Sequence, residues 1–193
     1  MTTIQPKRIT AENFEPYGSV ARMPEGAPLA QDATFKFWSD VANFRIDEET
    51  EVGFCTVYRQ AGGPVAWMER HERTPELLIP IDGSFVLPVM KADAPDEGVE
   101  AFRVDVGEAV VIGQDVWHSA CHPVDRDQAT YFVIFRRGTP HEDVESLGQI
   151  IMRICSKPAA PVQDPDERRA YLPLVVRGQR GQEPEPAAVR RPR

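Results

Sequence analysis

Two segments of this chain carry side chains able to act together on a small molecule. In Glu69-Arg-His71-Glu-Arg-Thr-Pro-Glu76, Glu69 and His71 stand two residues apart. On an extended strand such a pair leaves by the same face. Arg73-Thr-Pro75 reads as a turn, after which the chain can reverse and carry Glu76 alongside. His118 closes a second segment, Gly107-Glu-Ala-Val-Val-Ile-Gly-Gln-Asp-Val-Trp-His118. Two imidazoles and one or two carboxylates facing one interior suit a first-row divalent ion. A lone strand histidine is more often structural. The expectation therefore rests on these four residues converging.

The elements that must position them read as short strands. Glu51–Arg59 alternates in part, and Leu77–Ile81 is a short apolar run. Ser84–Met90 follows the turn signal Asp82-Gly83. Ala101–Val106, Ala109–Ile112 and Ala129–Phe135 complete the set, with Phe35–Trp38 and Asn43–Ile46 as further candidates. Thr10-Ala-Glu-Asn predicts a single capped helical turn, and a longer helix is expected only around Asp143 to Cys155. Many short strands between Gly, Pro and Asp turns predict an all-β domain, a barrel or jelly roll with short peripheral helices.

This domain is expected to cover residues 1–156. From Lys157 to Arg193 the composition shifts to seven prolines, and eight basic residues stand against five acidic. That stretch reads as a Pro/Arg-rich tail that wraps the surface or stays disordered, with Tyr171–Val176 as its one docked segment.

At 193 residues with 41% hydrophobic content, the chain can bury a core without disulfides. A net charge of −8 argues against nucleic acid, which needs a basic face. It leaves room for a small anionic substrate, because one arginine can meet that need. Three widely spaced cysteines with no CxxC point to a reducing compartment. No apolar leader or membrane span is evident, so the expected location is the cytoplasm.

Both segments resemble the sequence motifs of cupins. Gly63, Glu69, His71, Glu76 and Gly83 reproduce every interval of the first motif, and Gly107, Gly113, Asp115, His118 and His122 those of the second. The resemblance implies a cupin-type β-barrel with metal ligands at Glu69, His71, Glu76 and His118. The ion it implies is Zn, Mn, Fe or Ni. Glu69 stands where histidine is commoner, and His122 where asparagine is.

A narrower resemblance is to the ureidoglycolate lyases of allantoin breakdown. It is carried by Ile9-Thr-Ala-Glu-Asn-Phe-Glu-Pro-Tyr-Gly18, Met68-Glu-Arg-His71, Ile79-Pro-Ile81, Val116-Trp-His118 and Asp143-Val-Glu-Ser146. It departs at Ser119, where that family often has a second histidine, and at Glu76, where a glutamine is common.

This second resemblance implies cleavage of ureidoglycolate to glyoxylate and urea, with Glu69, His71 and His118 at the chemistry. Arg59 or Arg136 is expected to hold the substrate carboxylate, and His122 is a weaker contact. Cupin resemblance also implies a homodimer. The rival readings are a metal-dependent isomerase or oxygenase acting on another small acid, and a non-catalytic cupin that binds a small ligand. Trp67 and Trp117 are expected to pack in the barrel, and Cys121 to be a buried, inert thiol.

Overall fold

Gln128-Ala-Thr-Tyr-Phe-Val-Ile-Phe-Arg136 alternates buried and half-exposed positions almost throughout. Such a segment satisfies its backbone only in a sheet with one face inward, and here it runs through the middle of one. The computed structural model describes residues 2–61, 64–93 and 98–155. The chain divides into two units, Met1–Ala160 and Pro161–Arg193, and every described residue lies in the first. Gly63 of the first motif and the Pro/Arg-rich tail, Tyr171–Val176 included, fall outside the described residues.

The first half holds β1 (Thr2–Ile4), β2 (Lys7–Arg8), helix α1 (Ala11–Phe14), β3 (Gly18–Ala21), β4 (Ala30–Gln31), β5 (Lys36–Phe37), β6 (Thr50–Tyr58) and β7 (Pro64–Arg70). Next come β8 (Glu76–Pro80), β9 (Phe85–Met90), β10 (Glu100–Val104), β11 (Ala109–Ile112) and β12 (Trp117–His118). Last are β13 (His122–Pro123), β14 (Gln128–Arg136), helix α2 (Thr139–Glu142) and β15 (Glu145–Ile154).

Two sheets face each other. The larger runs β1-β15-β7-β12-β9-β10-β2, with β13 also on β9, and the smaller runs β3-β11-β8-β14-β6. Between them lies the main core, where Phe85, Leu87 and Val89 of β9 meet Leu78, Tyr131 and Val133 from the smaller sheet. A second cluster, with Met68, Val86, Met90 and Trp117, covers the outer face of the larger sheet. Thus β9 is buried on both faces, as its unbroken apolar sequence requires. The all-β expectation holds: the architecture is two antiparallel-dominated layers of jelly-roll type with very short helices.

Three local readings need correction. Asp143 to Cys155 is not a helix. Most of it is β15, paired with β7 from Glu145↔Arg70 onward, and its Ile-rich end has the β-branched character that sheets favour. Helix instead occurs just before it, as the four residues of α2 behind Gly138, whose φ is +83°. Asn43–Ile46 forms no strand, and of Phe35–Trp38 only Lys36–Phe37 does, against Ala30–Gln31. Asp82-Gly83 does turn the chain, and there it passes from β8 in one sheet to β9 in the other.

Two positions show why certain residues were needed. Gly18 has φ +151°, and a Cβ there would lie 1.9 Å from the Val111 carbonyl oxygen, so only glycine lets β3 close on β11. Pro88 sits inside the central strand β9, where a missing N–H is normally unwelcome. Its carbonyl accepts from Ser119 N–H at 3.2 Å. That places its nitrogen toward the gap between β12 and β13, where no ladder bond is lost.

Candidate active site

The larger sheet places Glu69 and His118 directly opposite one another on β7 and β12. His118 also pairs with Val89, a main-core residue, so both site side chains point between the sheets. His71 follows β7 by one residue and keeps the parity of Glu69. The chain then turns through Glu72–Pro75 and enters the smaller sheet at Glu76. The site therefore spans the two layers: three groups hang from one sheet and the fourth from the other.

The imidazoles are held from behind. His71 Nδ1 lies 2.6 Å from the Asp143 carbonyl oxygen, and His118 Nδ1 lies 3.1 Å from that of Val116. A carbonyl only accepts, so each Nδ1 carries the hydrogen and donates it. Each Nε2 therefore faces the cavity. His71 Nε2 is 3.0 Å from Glu76 Oε2, and His118 Nε2 is 3.3 Å from the same oxygen. Glu69 Oε1 lies 4.0 Å from His118 Nε2.

His118 Nε2 is buried and has no aligned hydrogen-bond partner. Two Nε2 atoms whose lone pairs meet carboxylate oxygens need either protons or a cation between them. Glu69, His71 and His118 offer donor atoms all within 4.8 Å of one another. Their N and O chemistry, with both Nδ1–H groups committed to carbonyls, fits a divalent ion.

Electrostatics agree. Burial opposes charging His71 and His118, but Glu76 outweighs it and both imidazoles titrate above their usual range. Burial would raise the Glu76 carboxyl, yet the charge and hydrogen bond of His118, joined by His71, bring it down to about 2. The signs define a pH window. A raised imidazole stabilises the fold below its unfolded value of 6.5, and that stability is lost as pH climbs through the raised value. A depressed Glu76 stabilises above 4.5, and its share is lost as pH falls toward about 2. Chelator-treated protein is thus expected to melt highest between roughly pH 5 and 6.5 and lower by pH 9. With Zn²⁺ or Mn²⁺ present the alkaline decline should vanish, because the ion replaces the protons. Melting curves across pH, with and without chelator, measure this directly.

Asp143 stands in a stretch that carries the family resemblance, but local sequence patterns did not reveal its role. Its carbonyl holds His71, while its buried carboxylate accepts Glu72 N–H and Arg73 N–H, each at 3.0 Å. Thr74 adds to the turn by accepting Arg136 N–H at 3.2 Å. Tyr131 and Cys121 also belong to the interior, both about 4% exposed. Burial pushes the Cys121 thiol up, in keeping with an inert thiol. The alternation Ala129-Tyr131-Val133-Phe135 was the available signal for Tyr131.

Of the other expected contacts, Arg136 is buried and its backbone N–H bonds Thr74, in the turn that joins His71 to Glu76. Arg59 donates to the carbonyls of Val124 and Arg126, and its guanidinium holds the 124–127 loop. Arg136 has the parity opposite to Tyr131, Val133 and Phe135, which face the core. Its Nη1 lies 3.3 Å from Glu48 and 3.6 Å from Glu142, while its Nε and Nη2 are buried without a hydrogen-bond partner among the described residues. His122 pairs with Val86 of the outer cluster, so it faces away from His118. Arg70 lies over the Trp117 ring at 4.9 Å. Trp117 packs as expected, whereas Trp67 is 44% exposed.

Facing antiparallel sheets with a His/Glu cluster between them fit the cupin-type jelly roll that the two sequence motifs imply. Residues 1–150 match the family model described as ureidoglycolate lyase, and the chain belongs to that family. It is 36% identical over 77 residues to "Ureidoglycolate lyase 2" of Rhizobium meliloti (strain 1021), a match covering 37% of this chain and 45% of that protein. The chain thus matches less than half the length of that relative.

Among solved structures it is similar to the Bacillus subtilis oxalate decarboxylase at pH 4.6, at 16% identity and TM-score 0.38, over 52% of this chain and 24% of that one. The Lactobacillus farciminis oxalate decarboxylase formate complex is similar at 12% identity and TM-score 0.38, over 52% and 27%.

Proposed function

We propose that this chain is a ureidoglycolate lyase that releases urea and leaves glyoxylate, acting in allantoin nitrogen catabolism. Family membership supports the substrate. The observation that carries the chemistry is the pair of Nε2 atoms presented, with fixed tautomers, to Glu76 and Glu69.

The substrate is a carbinolamine whose central carbon bears a hydroxyl, a ureido nitrogen and a carboxylate. Cleavage removes the hydroxyl proton, forms the carbonyl and breaks the carbon–nitrogen bond, and the departing nitrogen takes up a proton to give urea. A divalent ion bound by His71, His118, Glu76 and Glu69 would supply a Lewis acid that acidifies the hydroxyl.

The chain's own groups handle the rest. Glu76 is buried between the imidazoles and holds their orientation. Glu69 is the most open of the four, with 27% of its side chain exposed. It is positioned to carry the proton from oxygen to nitrogen. Glu69 and His118 stand on paired strands of the larger sheet and His71 directly follows one of them, which keeps substrate and proton carrier in register.

A cytoplasmic homodimer completes the reading. Its support is the family resemblance and the finding that no helix among the described residues is long and apolar enough to cross a membrane. The test is urea and glyoxylate release from ureidoglycolate by the purified chain, before and after chelation. Turnover that chelation abolishes and Mn²⁺ or Zn²⁺ restores is expected. No turnover with any divalent ion would sink the assignment.

A further inference from the structure

A buried guanidinium takes no part in the proposed chemistry. Arg136, at the end of β14, is 4% exposed, and its Nη1 faces Glu48 and Glu142 at 3.3 and 3.6 Å. Its Nε and Nη2 are buried too, and find no hydrogen-bond partner among the described residues. Those two atoms form one edge of the planar group, the fork that takes both oxygens of a carboxylate side by side. Native folds rarely leave buried donors unpaired.

The direction of that edge follows from the plane. The three nitrogens are evenly spaced about their central carbon, so the Nε–Nη2 edge points directly away from Nη1. Glu48 lies just ahead of β6, whose Thr50 pairs with Arg136, so Nη1 reaches toward the β6 side of β14. The free edge therefore faces β8 and β11, the next strands of the sheet. On its outward face Val111, Leu77 and Ile134 stand in one row. Two residues further along each strand, the same row holds Gly113, Pro75 and Arg136, as the Arg136 N–H bond to Thr74 requires.

An open cavity of about 440 Å³ lies on this row. Gly113, Pro75 and Val111 line it from the sheet, and Asn43, Phe44 and Arg45 from the segment ahead of Glu48. Within that segment Asn43 bonds Asp40 and Arg45 bonds Asp47. Asp40 and Glu48, at its ends, hold φ of +63° and +69°, left-handed values uncommon outside glycine. A surface strap of this kind shifts more readily than a strand to admit a guest. Glu48 and Glu142 oppose an anion, but their side chains are 64% and 61% exposed and water screens them, whereas the buried edge is screened far less.

We propose that this is a second ligand site, for a small organic acid. Its carboxylate is forked on Nε and Nη2 of Arg136, and its apolar body lies against Phe44, Pro75 and Val111. A flat carboxylate matches the single free edge, and the apolar lining favours an organic acid over a mineral anion. Pro75 has the parity opposite to Glu76, so this site and the His/Glu cluster lie on opposite faces of the smaller sheet. It is thus separate from the lyase substrate's position, and the assignment does not depend on the substrate reading.

Calorimetric titration of the full chain with phenylacetate tests it, with chelator present so that no ion in the barrel contributes. Saturable binding with a Kd of about 1 mM or tighter is expected, and none for the neutral phenylacetamide. Arg136→Lys keeps the charge but loses the fork, and should weaken binding by about tenfold or more. Phe44→Ala, an exposed change on the strap, should weaken it by about threefold. That variant decides the matter should Arg136→Lys fail to fold by circular dichroism. Arg137→Gln, the exposed neighbour, should bind as wild type does. No phenylacetate binding up to ~10 mM overturns the proposal. Equal binding of phenylacetamide overturns it too, as does wild-type affinity in the folded variants at Arg136 and Phe44.

Discussion

Replacing His118 by alanine is expected to lower ureidoglycolate turnover by at least about a hundredfold, which is roughly 2.7 kcal/mol of transition-state stabilisation. The imidazole is 4% exposed, and its Nε2 is the one atom of the cluster that is buried without an aligned partner. Truncation removes a donor that no neighbour can replace, since Val116 fixes its orientation and Glu69 lies directly across the ladder. It also leaves Glu76 with a single imidazole partner, so its carboxyl should titrate higher than in wild type. The two β12 pairings are backbone contacts and survive in alanine. The variant should therefore stay folded while divalent-ion affinity drops with activity. Parallel measurement of kcat/KM and ion binding by calorimetry decides the matter. Wild-type turnover in a folded His118→Ala protein would remove the cluster from the chemistry.

Asp143→Ala comes next in expected size, although Asp143 touches no substrate. Its carboxylate satisfies two backbone N–H groups in the turn that carries the chain from His71 to Glu76. Losing both acceptors should cost about 2–6 kcal/mol of stability, at roughly 1–3 kcal/mol per orphaned N–H group. The same loss frees the turn. The expected companion effect is a 10–100-fold drop in divalent-ion affinity, the range found when outer partners of a ligating histidine are removed. Asp143→Asn keeps one acceptor oxygen and should recover part of both losses. Chemical denaturation and ion titration of the pair provide the measurement. An alanine variant with wild-type ion affinity would reduce Asp143 to a purely structural brace.

Much of this was legible because spacing in a strand is also direction. Glu69 and His71 are two apart, and the interval to Glu76 is long enough for one turn, so their convergence could be read before any coordinates. His122 shows where that logic stops. Counting by twos from His118 points His122 inward, but Ser119–Cys121 leave the regular ladder and shift the parity by one. Cys121 and Pro123 then take the inward places. A one-residue irregularity reverses every later side chain, and no local composition marked it.

The strand β15 was hidden for a different reason. Its identity comes from pairing with β7, some 75 residues earlier in the chain, and the helical option at Asp143 to Cys155 was excluded only by that partner. The role of Asp143 was hidden with it, since a carboxylate that caps a distant turn leaves no periodic trace. Parity on β14 sets Arg136 apart from Tyr131, Val133 and Phe135, yet Arg136 is only 4% exposed, so strand parity alone did not tell that its side chain would be buried.

The placement of Glu76 in one layer, with Glu69, His71 and His118 in the other, gives the molecule a clasp. Apart from the loops, the sheets adhere through side chains that slide and repack, whereas Glu76 Oε2 reaches across to His71 Nε2 at 3.0 Å and to His118 Nε2 at 3.3 Å. An ion that took Glu76 as a ligand beside Glu69, His71 and His118 would rivet the two leaves together. Its binding free energy then enters the resistance to opening, about 2.7 kcal/mol at a hundredfold excess over Kd. Thermal denaturation of this protein is thus a gauge of occupancy, and its most fragile form is the emptied one at alkaline pH.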